Sequence, residues 1–204
     1  MLAGVGGQGT VLASRLIAAV AIERGVPVRT AETIGMAQRG GTVFSHVRCG
    51  ESPDDVPATS LVPKGAAQLV ISFEPGEALR ALEYLAPGGA MVVAKKALRP
   101  VTATLSGDAY DGTEHLEHLA KRVENLVVVD GEQICRECGN PKVLNVALLG
   151  AAVGTGMLGA SAEEVEHAIE KLVKPRFVEM NRQALRAGML AAQTADHTSR
   201  RWQS

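Results

Sequence analysis

The chain has 204 residues, 46% of them hydrophobic, a formal net charge of −1 and only 3% aromatic residues. A near-neutral balance excludes an electrostatic nucleic-acid binder, and so few aromatics leave no stacking platform for single strands. The most apolar run, 143–158, is interrupted by Asn145 and by glycines, so no membrane partner is expected; no basic leader precedes an apolar stretch, and three cysteines suit a reducing, cytoplasmic setting.

Residues 1–5 read as a first strand, short against the roughly 5–6 residues usual for a buried one, and the expected true start lies upstream of Met1. Thr10 to Arg24 has one apolar face and reads as a helix stopped by Gly25. A second strand, Val28 to Thr30, ends at Glu32, and Glu32 to Gly41 is a loop that glycine opens. Thr42 to Cys49 alternates, with Val43, Ser45 and Val47 on one side and Phe44, His46 and Arg48 on the other. That period predicts a half-exposed antiparallel strand with His46 on its wetter face, as an interface or solvated histidine. After an acidic surface loop, Glu51 to Pro57, the continuous apolar run Leu69 to Phe73 predicts a central strand.

Pro75 to Leu85 follows as a helix, and Pro87-Gly88-Gly89 as a turn into a buried strand, Ala90 to Ala94. Val101 to Leu105 is a weaker strand, Thr113 to Val123 an amphipathic helix, and Leu126 to Val129 a strand closed by Asp130. Gly131 to Cys138 is a short helix broken by Gly139-Asn140-Pro141. Lys142 to Met157 reads as a long helix buried on most sides, and Ser161 with Glu164 forms a capping box for a helix to Val173. Lys174-Pro175 interrupts; Phe177 to Gln193 is the last helix and 194–204 a frayed tail. Strands alternating with helices predict a three-layer α/β/α Rossmann-like sheet, mainly parallel with at least one antiparallel strand, and a helical C-terminal third, in one domain over 1–193.

Two glycine-rich loops carry the chemistry. Gly4-Val5-Gly6-Gly7-Gln8-Gly9 spells G-x-G-x-x-G between strand and helix. Its glycines permit close backbone approach, and the helix behind it offers free N–H groups to a phosphate. Glu32 then stands near where a dinucleotide fold puts its ribose-binding acid. Two other readings stay open: a nicotinamide or flavin site, or glycines that only seat the helix tightly on the sheet. The second loop, Gly35-Met36-Ala37-Gln38-Arg39-Gly40-Gly41, is an insert that a simple dinucleotide fold does not need. Arg39 is placed to meet a carboxylate or phosphate and Gln38 a polar ligand or the first loop; alternatively the loop is a rigid interface.

These strings, with Phe73-Glu74-Pro75, Glu77-Ala78-Leu79-Arg80, Gly139-Asn140-Pro141, Asn145 and Lys174-Pro175, resemble the gamma-type domain of 2-oxoacid:ferredoxin oxidoreductases over Gly4 to about Gly188, and within that family the small subunits of its indolepyruvate branch. The resemblance implies an arylpyruvate oxidised through thiamine diphosphate, Mg and 4Fe-4S clusters held by a large partner subunit, with ferredoxin as acceptor and coenzyme A taking the acyl group. It implies a subunit inactive alone, holding none of those groups firmly, whose two loops face the partner's cofactor cleft or the phosphates of coenzyme A. Ile34 departs from the histidine expected at its position, which bears on indolepyruvate as the substrate.

Cys49, Cys135 and Cys138 are too few for a four-cysteine cluster, and Cys135-x-x-Cys138 falls at a helix end, against a redox role. His115 and His118 share a helical face with Glu114 and Glu117 and read as a wet surface without a third metal ligand. Glu74 either lines a crevice with Glu32, Gln38 and Arg39 or caps the helix at Pro75. Glu179 and Asn181 read as packed against the 139–141 break.

Overall fold

A computed structural model describes residues 1–35, 41–97 and 111–195. The weaker strand at 101–105, loop residues 36–40 with Gln38, Arg39 and Gly40, and the tail beyond 195 lie outside the described residues. The six described strands are β1 (Leu2–Val5), β2 (Val28–Ile34), β3 (Thr42–Cys49), β4 (Ala67–Ser72), β5 (Leu85–Ala94) and β6 (Asn125–Val129). The seven described α-helices are α1 (Thr10–Glu23), α2 (Pro75–Ala81), α3 (Thr113–Ala120), α4 (Gly131–Glu137), α5 (Leu144–Gly154), α6 (Ala162–Leu172) and α7 (Val178–Ala195).

The sheet order is β2-β3-β1-β4-β5-β6. β1, β4, β5 and β6 pair in parallel, while β3 runs antiparallel to both β1 and β2. The mainly parallel sheet with one reversed strand is therefore as the alternation predicts. One face carries α1, α4, α5, α6 and α7, packed on Leu2, Ile71, Phe73, Val92 and Val129; the other carries α2 and α3 on Ala3, Val70, Met91 and Val93. Both faces of β4 and β5 are thus buried, which is why those strands are unbroken apolar runs.

Several boundaries differ from the sequence reading. The helix after Pro75 ends at Ala81 and tightens into a 3-10 turn over Leu82–Tyr84. Pro87-Gly88-Gly89 is not a turn before the strand. It lies inside β5, which starts at Leu85, and the ladder with β4 shifts register between Ala67 and Leu69. Gly88 takes φ 74, and a Cβ on Gly89 would lie 3.0 Å from Ala67 O, so the glycines form a bulge. α5 begins at Leu144 behind a 3-10 turn, Pro141–Val143. Residues 145–153 of α5 are all buried. The Ser161–Glu164 capping box forms, with Ser161 accepting from Glu164 N and Glu164 from Ser161 N.

His46 is buried, not solvated, because Val62 and Tyr84 close over the sheet face from which it projects. Its Nδ1 accepts from Val62 N at 3.2 Å, its Nε2 lies 3.5 Å from Thr33 Oγ1, and Tyr84 meets the ring edge-on. Burial lowers its pKa. No described helix is long and apolar enough to cross a membrane.

Candidate functional site: the crevice at the strand ends

The connection after β1 runs to α1 on one face of the sheet, and that after β4 runs to α2 on the other. Between them lies a topological switch point, where open α/β sheets leave a crevice beyond the carboxyl ends of their strands. A cavity of about 850 Å³ occupies this position. Gly7, Gln8, Gly9 and Leu12 form one wall, Phe73 and Ala94 the floor, and residues 131–145 the opposite wall.

The first glycine loop is held by two side-chain amides. Gln8 Oε1 accepts from Val5 N at 2.6 Å, and Gln8 Nε2 donates to Phe73 O at 3.0 Å. Buried Asn145, at the start of α5, donates from Nδ2 to Gly9 O at 3.4 Å and accepts from Val146 N. Gly9 adopts φ 88, where a side chain is strained, and its Cβ would come 2.7 Å from Asn145 Nδ2. Gly9 gives α1 no side-chain cap, so the first-turn amides of that helix lack a side-chain acceptor there, and Gly9 and Leu12 beside them line the cavity.

The two glycine loops meet at this rim. Gly6 N donates to Gly41 O at 3.0 Å, and Gly35 N donates to Thr42 O at 2.9 Å, so both feet of the second loop are fixed. Thr42 Oγ1 donates to Glu77 Oε1 at 3.1 Å, and burial raises the pKa of Glu77. Glu74 resolves as the cap of α2, its Oε2 accepting from Glu77 N at 2.9 Å.

Glu32 does not join Glu74 in one crevice. It stands on the exposed edge strand β2, paired with Ser45, which pairs in turn with Leu2. That register puts it two strands, roughly 10 Å, from β1 and level with the start of that strand. The intervening β3 displaces it from the ribose position of a dinucleotide fold.

Three cations line the crevice: Lys96, Arg136 and Lys142. Lys96 is paired with Glu132, whereas Arg136 and Lys142 have no ion-pair partner among the described residues. Sequence reading singles out none of the three: Arg136 and Lys142 stand close together in one stretch, and only the fold brings Lys96 to them. In the sequence Asn145 stands out as a polar break in an apolar run and as part of a family string, but its contact with Gly9 spans 136 residues.

The cysteines do not fit an iron–sulfur cluster. Cys49 ends β3, opposite Val28 and so at the far rim of the sheet from the crevice, where Cys135 lies. Burial raises the pKa of both Cys135 and Cys138, against thiolate chemistry. Asn181 is buried and donates to Phe177 O, and α7 touches the 3-10 turn at Pro141; Glu179, expected to pack on the same break, is exposed near Arg182.

Residues 1–191 match the family model described as pyruvate ferredoxin/flavodoxin oxidoreductase. The chain is 36% identical over 194 residues to an indolepyruvate oxidoreductase subunit IorB from Pyrococcus horikoshii, covering 94% of each chain. A keto/oxoacid ferredoxin oxidoreductase gamma subunit from Geobacter sulfurreducens has the same fold, with a TM-score of 0.66 at 24% identity over 95% of this chain and 97% of that one. A 2-oxoglutarate:ferredoxin oxidoreductase from Magnetococcus marinus, solved with 2-oxoglutarate, coenzyme A and succinyl-CoA bound, aligns at TM-score 0.65 and 18% identity over 95% of this chain and 30% of that longer one. The chain belongs to the pyruvate ferredoxin/flavodoxin oxidoreductase family, as a small subunit of the gamma type.

Proposed function

We propose that this subunit completes an indolepyruvate-type, arylpyruvate-oxidising enzyme of the cytoplasm, and that its switch-point crevice receives the phosphate-bearing part of coenzyme A against a large partner subunit. The observation that carries the reading is one cavity that gathers the first glycine loop, the start of α1, which has no side-chain cap, and two cations, Arg136 and Lys142, without an ion-pair partner among the described residues. Helix N-termini and guanidinium or ammonium groups together suit phosphate oxygens. Coenzyme A, when bound, supplies the thiol that takes the acyl group. This chain's residues would orient it: Gly7 and Gly9 by close backbone approach, Arg136 and Lys142 by charge. Thiamine diphosphate, Mg and the 4Fe-4S clusters would reside on the large subunit, with ferredoxin reduced through it. The coenzyme A-bound relative from Magnetococcus marinus, whose longer chain includes this fold, supports the assignment.

Co-expression with the large subunit should give indolepyruvate- and coenzyme A-dependent reduction of ferredoxin. Undiminished activity from the large subunit alone would overturn the reading. Arg136→Ala and Lys142→Ala should each raise the KM for coenzyme A by about tenfold, the scale of one lost charge-assisted contact. A saturable melting shift with NADH would instead favour a free-standing nicotinamide enzyme, the reading that displacement of Glu32 counts against. Loss of activity in Gly6→Val, with assembly intact, would exclude a purely structural module.

A further inference from the structure

The parallel ladder between β1 and β4 stops one rung early. Ile71 N donates to Met1 O at 2.9 Å, and Phe73 N donates to Ala3 O at 2.8 Å. In a parallel pair the next bond would run from Val5 N to Phe73 O. Neither group makes it. Val5 N donates to Gln8 Oε1, and Phe73 O accepts from Gln8 Nε2. The primary amide of Gln8, chemically a small peptide group, is thus inserted between the two strand ends. It satisfies both backbone groups and keeps them one amide apart. The cost falls on Gly4, opposite the insertion: a Cβ there would lie 2.9 Å from Gln8 Oε1 and 3.1 Å from Phe73 Cβ.

We infer that Gln8 is a positioning residue, a wedge that replaces the last rung between β1 and β4 and so sets the affinity of the switch-point crevice for its phosphate-bearing ligand. The wedge sits where the chain leaves β1 for the loop, so the separation it imposes fixes how the loop and the first turn of α1 stand over Phe73. Both ends of the amide are engaged within the chain, and Gln8 acts through the loop. The affinity claim rests on the crevice being the coenzyme A site; the wedge itself does not.

The test uses the complex with the large subunit and varies coenzyme A. Gln8→Ala should assemble and raise the KM for coenzyme A about tenfold with kcat within about twofold, the pattern of lost ground-state binding. In Gln8→Glu the carboxylate accepts from Val5 N but cannot donate to Phe73 O until it is protonated. Its KM, relative to the wild type at each pH, should fall back towards one as pH is lowered through the carboxyl pKa. Ser161→Ala, which weakens a cap remote from the crevice, is the control for lost stability. An unchanged KM in Gln8→Ala, a Gln8→Glu ratio flat with pH, or an equal rise in Ser161→Ala would each overturn the claim on affinity. A trans-hydrogen-bond NMR coupling between Val5 N and the Phe73 carbonyl carbon, measured in the full chain, tests the wedge without coenzyme A. It should be absent in the wild type and appear in Gln8→Ala as the strands close; its presence in the wild type would overturn the wedge. A wild-type complex indifferent to coenzyme A would overturn the site reading alone.

Discussion

Glycine does opposite work in two regions of this molecule. Where α5 crosses α7, Gly150 and Gly188 let two backbones touch: a Cβ on either would lie 2.0 Å from Leu185 O or 1.9 Å from Ala147 O. In the first loop, Gly4 and Gly9 make room for the side-chain amides of Gln8 and Asn145. Backbone cannot move aside cheaply, whereas an amide on a flexible stem can. Glycines of the helix pair are therefore matters of stability, and those of the loop are matters of geometry at the crevice.

Substitutions should separate the two. Gly150→Ala should have the largest effect, about 3 kcal/mol or more lost from unfolding in urea, because overpacking against backbone forces the helices apart. A loss under about 1 kcal/mol would show that the crossing can relax, and would erase the contrast. Gly9→Ala should cost about 1–2 kcal/mol for its left-handed backbone, leave the fold intact and raise the KM for coenzyme A in the assembled enzyme. A Gly9→Ala enzyme with wild-type KM would move the loop into the purely structural class. Ser161→Ala should cost about 1 kcal/mol through the lost cap of α6, with no change in KM.

The smallest expected effect is a pH slope. The folded state holds His46 neutral, with Nδ1 accepting from Val62 N and burial lowering its pKa. The unfolded chain then binds more protons below about pH 6.5, so stability is full above that value and declines as pH falls towards the folded pKa. Thermal melts between pH 7.5 and 5 should show this decline, and His46→Asn should flatten it. An unchanged slope would assign the decline to other groups.

Much of this architecture is written locally. The capping box at Ser161, the apolar runs of β4 and β5 and the G-x-G-x-x-G turn each depend on residues within a few positions of one another, and periodicity or spacing reveals them. Lateral order is not local. Nothing in the alternation of 42–49 says that this strand slides between β1 and β2 and carries Glu32 to the edge, or that Val62 and Tyr84 close over His46. The bulge at Gly88 was misread because Pro-Gly-Gly has the same composition in a turn and in a kinked strand. In the crevice, the loop was legible and its opposite wall was not: Lys96, Arg136 and Lys142 are unremarkable surface cations until the fold assembles them.

β3 has a further consequence. Because it returns antiparallel from β2, its start is tied to the end of β2, with Gly35 bonded to Thr42 and Gly41 to Gly6. A crossover between parallel strands must keep its span, but a hairpin tip can lengthen, shorten or change composition while the paired strands beneath keep their register. A change of length between β2 and β3 therefore leaves the register of β1 and the G-x-G-x-x-G turn beside it in place.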